Sequence, residues 1–393
     1  MKILILEDNK DKCLEIEQAI SEHDKSICIQ SVDNFSHFIE EINRNKYNLI
    51  IIDLVVPQFQ DRKTTESDMS DRIVEALRHP RCPNKATPAF GLTEYLDKAE
   101  GNFANLNEND IVIITYNKET PTWKNLLSKK IIECTPQKTY DAVIICALHK
   151  EAAAYNLAGY QVGESFIYKT LSCNEIEIAS GVRGVIVTLP KMGLVHSAIF
   201  SALSIEYFNP KIVCMSGICA GLPERTNIYD IVIPDICHQH DYGKWTDQGF
   251  KNEPSHIQID HELKLKIEHC ILRQNFKENI IQGINPKRSE IPEKMEEVAP
   301  LCYLAPASSG SAVIADRGIS DDISSQSRKL SAFEMETFAL YEAARTSKAK
   351  PLFFSAKSVV DNGDSGKSDE YHRIATIVSA KATFNILNHV LTT

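Results

Sequence analysis

No uninterrupted apolar run in the 393-residue chain approaches the roughly 20 residues that span a bilayer. The N-terminus, MKILILEDN, has one Lys and a short apolar run followed by acids. A signal peptide needs a longer apolar stretch and a small-residue cleavage site. Basic residues are in deficit, 43 against 53 acidic, for a formal net charge of −10. That balance argues against non-specific binding of nucleic acid or an anionic membrane, although a local basic patch could still hold a phosphate. The two tryptophans, Trp123 and Trp245, are too isolated to form a stacking platform for nucleic acid. There is no CxxC, and the eleven cysteines are scattered. Reduced, mostly buried thiols in a cytoplasmic protein are expected, not a disulfide framework. Internal repeats and low-complexity tracts are also missing. Membrane, secreted and fibrous classes are thereby set aside, and the length predicts two domains rather than one core.

What is present is an α/β grammar that starts twice. Lys2–Leu6, Ile27–Ser31, Asn48–Leu54, Ala89–Leu92 and Asp110–Thr115 are predicted strands, and Cys13–Ser21, Phe38–Asn43 and Trp123–Ile132 predicted helices. NLIIIDL at 48–54 has the near-continuous apolar character of a central parallel strand. Strand–helix alternation of this kind implies a parallel sheet with right-handed crossovers. The polar segment Thr135–Thr139 (TPQKT) serves as linker between a domain at 1–134 and one at 140–393. From Tyr140 new strands are expected at Ala142–Cys146, Val185–Leu189, Ile212–Met215 and Ile231–Ile233. Helices are expected at Ser197–Tyr207, Ala332–Arg345 and Ile374–Val390, over a mixed or partly closed sheet. Gln60–Asp71 and Lys244–Pro254 are predicted loops, and SGICAGL (Ser216–Leu222) a glycine-bearing one.

Ligands of open α/β sheets bind beyond the C-terminal strand ends. In the first domain the strand ends offer Glu7 and Asp8, then Asp53, Thr93 and, shortly after the fifth strand, Lys118. Adjacent carboxylates can hold a hard divalent cation, and a carboxylate nucleophile beside Mg²⁺, a hydroxyl and an ammonium can form an acyl phosphate. In this order the residues resemble a response-regulator receiver domain of flavodoxin-like fold. The resemblance implies Asp53 as phosphoacceptor, Glu7, Asp8 and Asp53 as Mg²⁺ ligands, Thr93 and Lys118 as the switch, and a histidine kinase as partner. Two features depart from the family: the long polar stretch after Asp53, and Glu119-Thr120 where the family usually has Pro directly after the lysine. The alternative is a degenerate receiver that docks a partner without phosphorylation.

In the second domain Glu151 lies at a helix start in ICALHKEAAAY, Glu334 and Glu336 flank Met335 in FEMETFALYEAA, and Asp361 ends the apolar run FFSAKSVVD. With SGICAGL, the His240-Asp241 pair after IVIPD, and SGSAVIAD, these resemble the nucleoside phosphorylase superfamily. Within it they resemble the methylthioadenosine/adenosylhomocysteine nucleosidases. The resemblance implies Asp361 as the acid protonating purine N7, Glu336 on the ribose hydroxyls with Met335 beneath the sugar, and Glu151 activating water. It also places Glu334, Gly217 and the backbone around Val313 and Ile314 at the substrate. Cleaving a ribosyl–purine bond passes through an oxocarbenium-like state, so one carboxyl must be protonated and another ionised. Glu151, near a helix start, is expected to stay ionised. A carboxylate in the ALHKEAAA loop would repel inorganic phosphate, which favours hydrolysis over phosphorolysis. No cofactor is expected for this step.

Basic residues Lys191 and Arg183 would suit a substrate with a 5′ phosphate chain, since both pair with phosphate oxygens; the other reading is that they are solvated loop residues. A receiver joined to a nucleosidase-like domain resembles the output proteins of the Detocs anti-phage systems. That resemblance implies phosphorylation-gated hydrolysis of ATP or dATP to adenine and the (deoxy)ribose 5′-triphosphate, in a homo-oligomer. A methylthioadenosine/adenosylhomocysteine nucleosidase with a docking receiver, and a non-catalytic nucleotide sensor, are the other two classes. His238-x-His240 lacks a third ligand nearby and is expected at an interface or behind the site rather than on a metal.

Overall fold

The computed structural model describes residues 1–59, 67–94, 103–293, 295–364 and 369–393. Residues 60–66 of the predicted polar loop lie outside them. The chain divides into two compact units, Met1–Gln137 and Lys138–Thr393.

The first unit alternates β1 (Lys2–Leu6), α1 (Lys10–His23), β2 (Cys28–Val32), α2 (Phe35–Arg44) and β3 (Leu49–Ile52). It continues with α3 (Ser70–Arg78), β4 (Ala89–Thr93), α4 (Phe103–Glu108), β5 (Ile111–Thr115) and α5 (Thr122–Cys134). The five strands are all parallel in the order β2-β1-β3-β4-β5. Side chains alternate between the two faces of a strand, so β1 and β3 feed two separate cores. Leu4, Leu6, Ile50 and Ile52 pack with Phe38 and Ile73 on one face. Ile3, Ile5, Leu49 and Ile51 pack with Ile16 and Trp123 on the other. Helices start where asparagine can cap them: the Asn9 side chain accepts from the Asp11 and Lys12 N–H groups, and Asn34 from that of His37. The carboxyl ends of β1, β3, β4 and β5 therefore deliver Glu7, Asp53, Thr93 and Lys118 to one edge of this unit.

In the second unit a mixed sheet carries β6 (Ala142–Cys146), β7 (Val162–Tyr168), β8 (Leu171–Ala179), β9 (Val182–Thr188) and β10 (Ile212–Gly221). It also contains β11 (Ile231–Ile233), β12 (Ile236–Gln239), β13 (His256–Gln258), β14 (Cys302–Leu304), β15 (Ala307–Ser309), β16 (Ala332–Glu334) and β17 (Leu352–Asp361). Strand β10 is the branch point. Its first half runs parallel to β6, β17 runs parallel along nearly its whole length, and its last residues pair antiparallel with β16. The helices relevant to the site are α6 (His149–Leu157), α7 (Leu194–Phe208), α8 (Thr337–Thr346) and α9 (His372–Thr392).

Three expectations are corrected. Lys244–Pro254 is not a loop, because Gly243–Thr246 and Gly249–Asn252 pair as an antiparallel hairpin. Ser216–Leu222 is not a loop, because β10 continues through Gly221. Ala332–Arg345 is not one helix: Ala332–Glu334 pairs as β16, and the helix begins at Thr337, after the chain turns through Met335 and Glu336. The eleven cysteines are free thiols, most of them buried. No helix among the described residues is long and apolar enough to cross a membrane.

Candidate active site

A cavity of about 560 Å³ lies at the carboxyl ends of β6, β10, β16 and β17, within the size range of small-molecule sites. Glu151 reaches it from the first turn of α6 and is only 2% exposed. The Leu148 N–H donates to its Oε2 (2.9 Å), and the Ile218 N–H of β10 donates to its Oε1 (3.1 Å). A Cβ at position 217 would fall on the Glu151 carboxylate, so glycine is what lets the strand pass beside it. The Gly217 N–H instead donates to Ser379 Oγ of α9 (2.8 Å), and that hydroxyl donates to the Ala356 carbonyl of β17 (2.9 Å). Gly217 thus makes room for a site residue without lining the cavity.

The residue that sequence reasoning missed is Lys357. It sits mid-strand in β17, 1% exposed, with Nζ 3.2 Å from Glu334 Oε2 and 3.1 Å from Glu336 Oε2. A buried ammonium is tolerated only when paired, and the carboxylates around it raise its pKa despite burial. Glu334 is saturated within the protein: it accepts from the Ser309 hydroxyl and from the Glu336 and Thr337 N–H groups, at the start of α8. These donors and Lys357 outweigh burial and hold it below the usual carboxylate range. Its first role is therefore to anchor the turn that presents Met335 and Glu336 to the cavity.

Glu336 is less well served. Its Oε1 accepts the Gly193 N–H (3.0 Å), and burial, with Glu334 and Glu151 nearby, pushes it up to about 7 against the pull of Lys357. Gly193 itself adopts φ +111°, a conformation that L side chains rarely take. Burial also raises Glu151, which Lys357 only partly offsets. The expectation that a helix start keeps Glu151 at an ordinary carboxylate value fails because desolvation outweighs the helix terminus.

Asp361 ends β17 half-buried on the cavity wall, and its Oδ1 accepts the Gly363 N–H (2.8 Å). Val313 and Ile314 line the cavity from the loop after β15. That loop is tied down by the His240-Asp241 pair. The Asp241 carboxylate accepts the Ser311 N–H (2.7 Å), and the His240 ring lies against Gly310 with Nδ1 3.0 Å from Ser308 Oγ. The pair thus holds the loop that lines this side of the cavity.

The two basic residues proposed for a 5′ phosphate do not line the cavity. Arg183 is the second residue of β9, roughly 16 Å along the strand from its carboxyl end at about 3.3 Å per residue. It pairs with Glu175 (3.2 Å) and lies over the Tyr140 ring. Lys191 is exposed, because the turn before α7 gives its inward positions to Met192 and to the Gly193 N–H. Among the described residues, the basic groups that line the cavity are Lys150 and His372, hydrogen-bonded to one another, with Asp369 3.9 Å from Lys150 and 2.8 Å from His372.

In the first unit, among the described residues, Glu7, Asp8 and Asp53 form the one group of three metal-ligating side chains whose oxygens converge, within 4.8 Å. Glu7 and Asp53 are buried and Asp8 is half-buried. Their chemistry fits a hard divalent cation. Two of them are already engaged, however: Lys12 Nζ lies 2.7 Å from Glu7 Oε2 and 2.5 Å from Asp53 Oδ2. Burial pushes Glu7 up to about 7 even so. Thr93 is fully buried at the end of β4. Lys118 is not at Asp53: it is largely exposed and pairs with Glu15 (3.3 Å), whose second oxygen accepts the Tyr116 hydroxyl (2.8 Å). Lys12 stands where Lys118 was expected.

Residues 141–392 match the model of the phosphorylase superfamily. The chain belongs to that superfamily. An uncharacterised protein of Sinorhizobium fredii, y4jS, is 23% identical over 428 residues and matches both chains end to end. The ATP nucleosidase Cap17 of Escherichia coli is 22% identical over 213 residues, 53% of this chain and 42% of that protein. The methylthioadenosine/adenosylhomocysteine nucleosidase of Staphylococcus haemolyticus is 29% identical over 130 residues, 30% of this chain and 57% of the enzyme. The chain thus matches about half the length of these two nucleosidases, which hydrolyse N-glycosidic bonds. The superfamily fold is shared with futalosine hydrolase of Helicobacter pylori, at a TM-score of 0.50 and 17% identity, over 63% of this chain and 97% of that one.

The cluster predicts a specific response to losing Lys357. Lys357→Met leaves buried carboxylates without a counter-charge and should cost about 3–5 kcal/mol of stability near neutral pH. Carboxyls whose folded pKa is raised stabilise fully below the unfolded value and lose that contribution as pH rises through the folded one. Denaturant unfolding of the variant should therefore show a smaller deficit at about pH 5 than at about pH 8; an equal deficit at both would remove the electrostatic account.

Proposed function

We propose that the chain is a purine nucleotide N-ribosidase that hydrolyses ATP or dATP to adenine and the (deoxy)ribose 5′-triphosphate, gated by an N-terminal receiver. The observation that carries hydrolysis is Glu151, a buried carboxylate clamped by two backbone N–H groups in the cavity wall. No arginine is among the described residues lining that cavity. Water attacks C1′ while the N-glycosidic bond breaks; Glu151 takes a proton from the water, and Asp361 delivers one to N7 of the departing adenine. Glu336 accepts from the ribose hydroxyls above Met335, and Val313 and Ile314 face the base. The likeness to Cap17 supports ATP as substrate. Lys150 and His372 supply the positive charge for its phosphates, in place of Arg183 and Lys191.

In the first unit, the parallel sheet order and Asp53 at the end of β3 support a receiver whose phosphoacceptor is Asp53, with a histidine kinase as donor. A Mg²⁺ ion held by Glu7, Asp8 and Asp53 would neutralise incoming phosphoryl oxygens. Destroying ATP must be gated, which is the reason for coupling such an enzyme to a switch and supports an anti-phage effector of the Detocs kind. Exposed Met192, Val195 and Ile199 beside the cavity support a homo-oligomer. The likeness to the Staphylococcus enzyme favours methylthioadenosine as a second substrate reading, and apolar Leu148 and Met192 in the cavity wall suit its methylthio group.

Free adenine, assayed after incubating the chain with ATP or methylthioadenosine with and without a small phosphodonor, separates these readings. Release from ATP that needs the phosphodonor and Asp53 is the expected result; release from methylthioadenosine alone would sink the nucleotide reading. Asp361→Asn should lower the rate by about 10²–10⁴ while leaving Asp53 phosphorylation intact. Lys150→Ala should raise KM for ATP about tenfold, the loss of roughly one charge-assisted hydrogen bond, and leave KM for adenosine unchanged. Because Glu151 and Glu336 must be ionised and burial raises both, the acid limb of kcat/KM should lie above the ordinary carboxylate range, near about 7 for Glu336. An acid limb at the pH of an ordinary exposed carboxylate would contradict the base assignment.

A further inference from the structure

We propose that Lys12 is the resident cation of the Glu7–Asp8–Asp53 cluster and that a divalent metal binds there only in exchange for it. The inference rests on reading these carboxylates as the receiver's cation site. The buried residues of α1 are Lys12, Ile16, Ala19 and Ile20, spaced as one helical stripe facing the sheet. A lysine therefore stands where the periodicity asks for an apolar side chain, and it is 2% exposed. Asn9 caps the helix by accepting the Asp11 and Lys12 N–H groups (3.0 and 3.3 Å), which fixes the first turn over the ends of β1 and β3. From there the side chain points at the carboxylates.

The ammonium sits on one oxygen of each of two carboxylates that would hold a metal. Its Nζ is 2.7 Å from Glu7 Oε2 and 2.5 Å from Asp53 Oδ2, and those carboxylates are themselves 2% and 8% exposed. Mg²⁺ binds oxygen at about 2.0–2.1 Å and demands near-octahedral geometry, so it cannot share these oxygens with a second cation in van der Waals contact. A lysine ammonium is a compact point charge that can play the same neutralising part. Moving it off the cluster would break both of its buried ion pairs, at a cost that discourages exchange. The Asp53 site thus keeps a fixed positive charge whatever the metal supply.

Calorimetric titration of the full chain with MgCl₂, without phosphodonor, tests this. Lys12→Met should bind one Mg²⁺ at least about tenfold tighter than the wild type, and Asp53→Asn in that background should abolish the binding. Thermal melts give a second measure: Mg²⁺ should raise the Tm of Lys12→Met, since a ligand of the folded state stabilises it, and leave the wild type nearly unmoved. Lys12→Arg, which keeps the charge, should behave as the wild type. Equal Mg²⁺ affinity in wild type and Lys12→Met would overturn the proposal. So would tight Mg²⁺ binding by the wild type that Asp53→Asn removes, which needs no folded Lys12 variant. Failure of the receiver reading registers elsewhere, as a lack of Asp53 phosphorylation.

Discussion

The pairing of Lys357 with Glu334 and Glu336 is the interaction on which the second unit's site depends. A mid-strand lysine with almost no exposure has no route to solvent, so it must be neutralised where it stands. The carboxylates that neutralise it are held in turn by backbone donors: Thr337 and Glu336 N–H for Glu334, Gly193 N–H for Glu336. One ammonium therefore joins β17, the turn before α8 and the turn before α7. The shape of this wall of the cavity follows from where these three segments meet. The same charge reaches Glu151 and tempers, without cancelling, the rise that burial imposes on it.

The first unit meets the same electrostatic problem with a different lysine. Lys12 lies between two buried carboxylates at the ends of β1 and β3, as Lys357 lies between two at the ends of β16 and the turn beyond it. In both places a lysine from a neighbouring element, helix α1 in one and strand β17 in the other, brings the charge that the clustered acids need. The arrangement permits several acids to crowd one edge of a sheet without mutual repulsion opening it.

Much of this was legible in the amino-acid order. Apolar runs such as LIII and AVIIC announce central strands because both faces are covered, and acids directly after such runs fall at strand ends. Asp53 and Asp361 were visible on that ground, and Glu151 as an acid at the helix start that follows such a run. Lys12 and Lys357 were not, because a single charge inside an apolar pattern carries no signal of its partner; the partner is close only after the sheet is assembled. Arg183 failed for the converse reason. It looked near the site in sequence, but the direction of β9 puts it at the far end of the strand. Glycines misled too: Ser216–Leu222 looks like a loop, yet Gly217 and Gly221 are there because Glu151, and Thr226 with Val359, occupy the space a Cβ would take.

Strand β10 is one continuous segment that pairs with β6 in its first half, with β17 along nearly its whole length and with β16 at its end. The walls bearing Glu151, Asp361 and the Glu334–Glu336 turn are consequently laced to a common spine. A change in the spacing of these walls would have to break ladder hydrogen bonds along β10. The Ser311–Ile314 loop is held differently, by the Asp241 carboxylate on the Ser311 N–H and the His240 ring against Gly310. The cavity therefore has walls built on one shared strand and another wall tied on by side chains.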